Sequence, residues 1–281
     1  MAARPIRRTA MLVLAGAVAV GAVFGAGAVA ESGWAGRSRE ATPVLRQPPS
    51  SPVQQRVLVY GDSLVVQSTP YLPLVGRALG LSVASRAFPG TAPCDFLPAL
   101  RQDLAERNVD VIVWAFIGNT TAPCMLDSTG HPLAGAALLA KYRLDTQAAI
   151  DAATKAGVPF VLASPPAPDN PGNIWPQLDA VYRELAAGKP RIGFADAGVN
   201  ISPDGRFVTT LRCLPFELSL PQARQACATS EALVTVRGAD GVHFCSVTNG
   251  IVCEGYASGA MRYAMNLLGA ARLELDARER R

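Results

Sequence analysis

Residues 56–66 read RVLVYGDSLVV, an apolar run that is interrupted by Gly61, Asp62 and Ser63 before it resumes. β-Branched and aromatic residues are typical of a buried strand, and glycine and aspartate commonly end one. In an open α/β sheet, catalytic side chains collect at the carboxyl ends of the strands. Two interpretations therefore remain for this stretch: a plain junction between a strand and a turn, or a junction that presents Ser63 to an active site.

Strand-like and helical segments alternate after this junction. Residues 110–116 (DVIVWAF) and 159–164 (PFVLAS) are near-continuous apolar runs, typical of central parallel strands. Residues 134–156 and 255–271 carry helical patterns. Parallel strands with helical crossovers predict a three-layer α/β/α sandwich around a central, mostly parallel sheet. The other predicted elements are strands at 57–60, 81–88 and 191–196 and helices at 71–80, 95–107 and 175–187.

The chain divides into four predicted segments. Residues 1–30 combine a basic start with an uncharged Ala/Gly/Val-rich stretch that ends in Ala-Val-Ala, which predicts either a cleaved signal peptide or a retained signal anchor. Residues 31–55 are predicted to be a Pro/Ser-rich linker, residues 56–273 a folded domain, and residues 274–281 a charged C-terminal tail. The positive-inside rule places the domain outside the cytoplasm, either secreted or anchored to the cytoplasmic membrane.

The cysteine content agrees with export. An even count of six behind an export signal indicates three disulfides, and buried free thiols are the alternative. The chain has only two histidines and no Cys-x-x-Cys pair, so we expect neither a metal site nor a cofactor. The net charge of +4 leaves no basic stripe for nucleic acid. The expected disulfides are Cys94–Cys124, Cys213–Cys227 and Cys245–Cys253, the last two because they close short loops.

A serine nucleophile needs a histidine that removes its proton and a carboxylate that orients the histidine. His131 lies in the turn-like stretch STGHP and is interpreted as an exposed loop residue. His243 follows Asp240 by three positions in DGVH, so one tight loop can bring the carboxylate to the imidazole. A simple Asp-Gly turn is the alternative interpretation of Asp240. The sequence therefore makes His243 and Asp240 the candidate partners of Ser63.

Two further residues are candidates for stabilising an oxyanion. Acyl-transfer sites commonly use backbone N–H groups and an asparagine amide for this purpose. Gly90 follows the second predicted strand, and Asn119 follows the strand at 110–116. The alternatives are a turn glycine and a residue that merely ends a strand.

Four short motifs, in this order, resemble the four blocks of the SGNH/GDSL hydrolase superfamily. They are GDSL at 61–64, FPG at 88–90, GNT at 118–120 and DGVH at 240–243. The resemblance covers about residues 56–271 and implies the flavodoxin-like fold of that family.

The resemblance also implies a role for each candidate. Ser63 would be the nucleophile, His243 the base and Asp240 the orienting carboxylate. The oxyanion hole would be formed by the N–H groups of Ser63 and Gly90 and the side-chain amide of Asn119. The third block departs from the family, because Ile117 and Thr120 stand where the family usually has glycine and aspartate. A disulfide between Cys94 and Cys124 would join the two oxyanion loops.

Three other side chains are assigned by their positions. Asp62 is expected to form hydrogen bonds within its turn. Asp196, at the end of a predicted strand, is interpreted as structural, with the orienting role as the alternative. Trp175 follows a strand end in a proline-rich loop, where it either stacks on a sugar or an acyl chain or packs as an ordinary loop residue.

The sequence therefore predicts an exported serine esterase that acts through an acyl-enzyme on O-acyl esters of cell-envelope glycans or lipids. The expected acyl group is acetyl or another short chain. One alternative is an O-acyltransferase that uses the same residues and a sugar hydroxyl as acceptor. Another is an inactive binding module of the cell envelope, which the unusual third block favours. We expect a monomer with a small-molecule, glycan or lipid ester as its substrate and, if the N-terminal segment is retained, with contact to the membrane.

Overall fold

The computed structural model describes residues 54–106, 108–170, 174–246 and 251–280. All of them lie in the second of the chain's two compact units, Ser50–Arg281. The predicted signal segment and all but the end of the predicted linker lie outside the described residues. Among the helices that are described, none is both long enough and apolar enough to span a bilayer.

Five strands form the centre of the domain. They are β1 (Gln55–Gly61), β2 (Leu81–Ala87), β3 (Val111–Ala115), β4 (Phe160–Ala163) and β5 (Ile192–Ala195). The strands pair in parallel in the order β2-β1-β3-β4-β5. This order matches the flavodoxin-like variant of doubly wound sheets.

Helices cover both faces of this sheet. They are α1 (Ser63–Ser68), α2 (Leu72–Ala78), α3 (Pro93–Ala105), α4 (Gly135–Ala156), α5 (Trp175–Ala186), α6 (Pro215–Leu218) and α7 (Ser258–Glu279). The side chains of β3 alternate between two cores: Val111 and Val113 pack with α1, α2 and α7, whereas Ile112 and Trp114 pack with α3, α4 and α5. The predicted three-layer α/β/α sandwich is confirmed.

The strand order fixes where a site can form. β1 pairs with β2 on one side and with β3 on the other, so the direction of winding reverses between β1 and β3. At such a switch point the loops leave the carboxyl ends of the two strands toward opposite faces, and a crevice opens between them. Ser63 follows β1 and Asn119 follows β3, so both lie at this crevice.

Several parts of the fold differ from the sequence expectation, among them the short helices α1 and α6, which were not predicted. The predicted charged tail at 274–281 is helical through Glu279, because Leu275 is buried and the Gln55 side chain donates to Glu279 Oε1 at 2.6 Å. A small antiparallel hairpin was not predicted at all. It consists of β6 (Thr210–Arg212) and β7 (Leu233–Thr235), and three residues in each strand are too few to show an alternating pattern.

Three disulfides are present, and their pairs are those expected from the sequence. Cys213–Cys227 closes the segment between β6 and β7, and Cys245–Cys253 closes the loop that follows His243. Cys94–Cys124 joins the start of α3 to a 3₁₀ turn, Pro123–Met125, beyond β3. This third bond therefore ties together the segments that follow the Gly90 and Asn119 loops.

Gly61 supplies a direct test of the packing between β1 and α1. A Cβ atom built at Gly61 would lie 2.2 Å from Val65 Cγ2 and 2.6 Å from the Ala115 carbonyl oxygen. Gly61→Ala should therefore lower the free energy of unfolding by about 1–3 kcal/mol, as overpacking does in cores. Urea unfolding followed by circular dichroism measures the change.

The matched control is Gly269→Ala in α7, where an added Cβ meets no atom within 4 Å. This change should be neutral or stabilise the protein by up to about 1 kcal/mol, because alanine favours a helix interior over glycine. Equal stability of the Gly61→Ala protein and the wild type would contradict the packing described here.

Candidate active site

Ser63 lies at the junction of β1 and α1. β1 ends at Gly61, and α1 begins at Ser63 itself. Asp62 caps the helix, because its Oδ1 accepts the Leu64 N–H at 3.1 Å. Gly61 is needed because the chain passes too close to Val65 for any side chain. The serine is thus held at the carboxyl end of a central strand, with its side chain largely buried.

Asp62 also joins this junction to the end of β3. Its Oδ2 accepts the Ile117 N–H at 2.7 Å. Complete burial raises the pKa of Asp62 to about 7, although the hydrogen bonds from Ile117 and Leu64 act in the opposite direction. The role within the turn that the sequence suggested for Asp62 therefore extends to the neighbouring strand.

The two candidate oxyanion loops are bonded to each other and to β1. The Asn119 amide donates to the Thr91 carbonyl at 3.0 Å, and the Thr121 hydroxyl donates to the Gly90 carbonyl at 3.0 Å. The Thr91 hydroxyl also lies 3.4 Å from the Gly61 carbonyl oxygen. The loops after β1, β2 and β3 therefore form one connected unit.

The unusual third block contains its turn glycine one position later than the alignment suggests. Gly118 has φ +99°, a conformation that favours glycine, and it directly precedes Asn119. The Asn119 carbonyl accepts the Tyr142 hydroxyl at 3.0 Å. The backbone of this loop is therefore anchored to α4, although Ile117 and Thr120 replace the residues usual in the family.

Asp240 and His243 lie in one tight loop. His243 Nδ1 is 2.7 Å from Asp240 Oδ2, and Asp240 Oδ1 accepts the Val242 and His243 N–H groups at 2.9 Å each. Partial burial acts to raise the pKa of Asp240, but these hydrogen bonds outweigh it and the pKa is lowered. The turn requires Gly241, which has φ +75° and leaves no room for a Cβ beside Asp169.

Gln67 connects the serine helix to the histidine loop. It lies one turn after Ser63 in α1 and is fully buried. Its Oε1 accepts the Phe244 N–H at 2.7 Å, and its Nε2 donates to Cys245 Sγ at 3.2 Å. The residue that follows His243 is therefore bonded to the helix that begins at Ser63. Gln67 was not predicted from the sequence, because a single amide in the short segment SLVVQS forms no pattern.

The other sequence candidates lie outside this bonded unit. His131 is exposed in its loop, with Nδ1 2.8 Å from the Thr129 hydroxyl. Asp196 is exposed and forms a long contact of 3.4 Å with Arg183 rather than with a histidine. Trp175 begins α5, and its Nε1 donates to the Pro165 carbonyl at 2.6 Å.

Two cavities adjoin these elements, and Trp175 lines both of them. The smaller, of about 20 Å³, is also lined by Arg237, a buried residue that the sequence analysis did not single out. The larger has a volume of about 170 Å³. The smaller is lined by Leu64, Ile117, Pro165, Pro166, Pro168, Trp175, Arg237 and Val242. The polar side chains of the larger include Asp179, Arg183, Asp196, Ser202 and Asp204.

Within the described residues, one group of possible metal ligands lies close together. It consists of Cys213, Glu217 and Cys227. The two sulfur atoms are joined in a disulfide, and the Glu217 carboxylate is bonded to Arg262 at 2.6 Å. These contacts occupy the group's ligand atoms, so it serves as part of a structural network.

Several solved structures are similar to this chain. The catalytic domain of the Streptococcus pneumoniae peptidoglycan O-acetyltransferase A matches 79% of this chain and 96% of its own length, at 18% identity and a TM-score of 0.49. A putative acylhydrolase from Bacteroides fragilis matches 81% and 90%, at 16% identity and a TM-score of 0.48. A lipase/acylhydrolase from Enterococcus faecalis matches 81% and 97%, at 17% identity and a TM-score of 0.46.

No family model matches the chain, and no curated protein does. At the identities and TM-scores of the similar structures, the activity has to be judged from this chain's own residues.

Asp62→Asn tests the buried carboxylate. The folded-state pKa of Asp62, about 7, is raised above the ordinary value of 3.8, so its contribution to stability is fully present below that ordinary value and is lost as the pH rises through 7. Asparagine does not titrate. The stability of the wild type relative to the variant should therefore fall by about 2–3 kcal/mol between about pH 5 and about pH 8. Urea unfolding of both proteins at the two pH values measures this.

The control for this experiment is Asp196→Asn, which removes an exposed carboxylate. A difference between wild type and Asp62→Asn that is the same at both pH values would contradict the raised pKa.

Proposed function

We propose that this protein is an exported serine esterase that hydrolyses short O-acyl esters, acetyl above all, of cell-envelope glycans or lipids. Ser63, His243 and Asp240 form its catalytic triad. The observation that carries the proposal is the 2.7 Å contact between His243 Nδ1 and Asp240 Oδ2, in a loop that Gln67 bonds to the helix of Ser63. The order of the four sequence motifs supports the same assignment.

The Asp240–His243 contact determines which imidazole nitrogen acts as the base. Asp240 accepts the Nδ1–H of His243, so in the neutral ring the lone pair lies on Nε2. The lowered pKa of Asp240 keeps this carboxylate ionised at neutral pH, where it stabilises the imidazolium that forms during reaction. The tight loop thus prepares His243 to accept a proton.

The reaction then proceeds in two halves. His243 Nε2 takes the proton from Ser63 Oγ as Oγ attacks the ester carbonyl, and it returns that proton to the departing alkoxide. Water, activated by the same nitrogen, attacks the acyl-enzyme and releases the carboxylic acid and free Ser63. Each half passes through a tetrahedral oxyanion, which must be stabilised by donors that are already in place.

The proposed oxyanion hole consists of the Ser63 and Gly90 N–H groups and the Asn119 side-chain amide. Asn119 uses one of its two amide hydrogens on the Thr91 carbonyl, and the second is assigned to the oxyanion. The hydrogen bonds among the three loops support this assignment, because they hold the donors in place before substrate arrives.

Export is supported by the redox state of the described chain. All six cysteines lie in disulfides, which persist in oxidising compartments and are rare in the cytosol. The proposed signal peptide or anchor at residues 1–30 accounts for such a location. An extracytoplasmic esterase would meet O-acylated glycans and lipid esters of the envelope.

An O-acyltransferase is the second candidate function, and the 170 Å³ cavity favours it. One wall of this cavity is Trp175, and its other sides carry carboxylates and hydroxyls, which is suitable for a sugar ring. Trp175 also lines the smaller cavity, which Leu64 and Val242, the neighbours of Ser63 and His243, line as well. Mass spectrometry of the products separates the two functions, since the esterase releases acetate and the transferase yields an acetylated sugar.

Hydrolysis of p-nitrophenyl acetate and butyrate by the full-length protein tests the triad. Ser63→Ala and His243→Ala should each lower kcat by at least about 1,000-fold, and Asp240→Asn by at least about 100-fold, because the triad acts as a unit. Labelling by a fluorophosphonate probe should occur in the wild type and disappear in Ser63→Ala.

Two matched controls accompany these variants. His131→Ala removes the other histidine, and Asp196→Asn removes the alternative carboxylate; both should keep the wild-type rate. A folded wild type that neither turns over these esters nor reacts with the probe would instead support the inactive binding module.

A further inference from the structure

Among the residues that the structure describes, two arginines are buried, and their surroundings differ. Arg262 is 1% exposed and donates to the Glu217 carboxylate at 2.6 Å and to the carbonyls of Asn200 and Arg212. Arg237 is 2% exposed. A carboxylate therefore compensates the charge of Arg262, of whose nitrogens only Nε has no hydrogen-bond partner.

Among the described residues, no carboxylate is hydrogen-bonded to Arg237. Its Nη2 donates to the Gly241 carbonyl at 3.1 Å, whereas its Nε and Nη1 have no hydrogen-bond partner. Phe207 and Phe244 lie 5.6 and 5.9 Å from the guanidinium carbon, close enough for a cation–π contact, but their rings do not replace hydrogen-bond acceptors. A buried cation with unused donors is costly unless a partner arrives.

Burial lowers the pKa of Arg237 to about 10, and the nearby Asp240 carboxylate opposes this shift only in part. The guanidinium is therefore still protonated at neutral pH. It presents a full positive charge and unused N–H groups where water has little access.

The position of Arg237 connects it to the proposed triad. Arg237 lines the cavity of about 20 Å³ together with Leu64, which follows Ser63, and Val242, which precedes His243. Ile117, whose N–H is bonded to Asp62, lines the same cavity. A cavity of this size holds one water-sized group, such as a single oxygen of an anion.

We infer that Arg237 binds a negatively charged oxygen of the substrate, so the esters on which this protein acts carry a carboxylate or a phosphate near the scissile bond. The inference rests on the proposed function and narrows its substrate class to acidic glycans or anionic lipids. An anion in this cavity would supply the charge and the acceptors that Arg237 lacks, through charge-assisted hydrogen bonds. Arg237 is thereby a specificity residue of the same site.

Anion binding is tested first without turnover. The Ser63→Ala protein is unfolded thermally in sodium acetate, sodium phosphate and sodium chloride at equal ionic strength. Acetate or phosphate should raise the midpoint above that in chloride, since a ligand that binds only the folded state stabilises it. Adding Arg237→Met should abolish the increase, whereas Arg206→Gln, which removes an exposed arginine, should preserve it.

Turnover supplies the second test. p-Nitrophenyl hemisuccinate and p-nitrophenyl butyrate share a four-carbon acyl chain and differ in the terminal carboxylate. 3-Acetoxybenzoate, 3-acetoxyphenyl phosphate and phenyl acetate make the same comparison on the alcohol side, with a carboxylate and a phosphate. The wild type should prefer at least one anionic ester by about 10-fold or more in kcat/KM, and Arg237→Met should remove that preference, as expected for a charge-assisted contact.

The outcomes separate this inference from the proposed function. Fluorophosphonate labelling without any anionic preference, and without an anion-dependent increase in the unfolding midpoint, overturns the inference and leaves the esterase intact. The protein could instead show no fluorophosphonate labelling and no turnover, and yet an anion could raise its unfolding midpoint in a way that Arg237→Met removes. That result supports the anion site and overturns the esterase. If Arg237→Met does not fold, the inference is tested by the ester preference of the wild type and by the anion-dependent unfolding midpoint of Ser63→Ala. Arg237→Lys should then keep part of the ester preference and part of the increase in the midpoint.

Discussion

The rest of the site depends on the two hydrogen bonds that the buried carboxylate of Asp62 accepts. One oxygen accepts an N–H from the helix that begins at Ser63, and the other accepts an N–H from the end of β3. The two oxygens of one carboxylate thus bind backbone donors from two different elements at once. Because β1 and β3 flank the switch point of the sheet, this single side chain links Ser63 to the loop of Asn119.

Side chains that hydrogen-bond to the backbone of a distant segment also connect the other loops of the site. A side-chain amide joins each loop to a partner that is distant in sequence: Asn119 bonds to the Thr91 carbonyl, and Gln67 bonds to the Phe244 N–H. Each bond replaces a backbone pairing that irregular loops cannot make for themselves. The candidate residues therefore lie in segments that are bonded to one another, although they come from four separate parts of the chain.

Features that follow from local chemistry could be predicted, and features that follow from distant partners could not. The position of Ser63 could be predicted from the end of a strand, and the contact between Asp240 and His243 from their spacing of three residues. Both features depend only on residues that are neighbours in sequence. Gln67 is separated by 177 residues from its partner Phe244, and a lone glutamine carries no pattern. The end of α7 was missed for a related reason: the charged residues around Leu275 hide the apolar position that holds the helix against the core.

The two buried arginines show that the fold can compensate a buried charge where stability alone is at stake. Arg262 belongs to a network in which Glu217 also accepts from Tyr256 and Ser258, so the charges and the acceptors are satisfied together. Removing one member of such a network leaves an unpaired charge and is strongly destabilising. Among the described residues, Arg237 has no hydrogen-bonded carboxylate, and its Nε and Nη1 have no hydrogen-bond partner. Residues that lower stability in this way are expected at functional sites. Arg237 is placed at such a site, because it donates to the Gly241 carbonyl in the turn that carries Asp240 and His243.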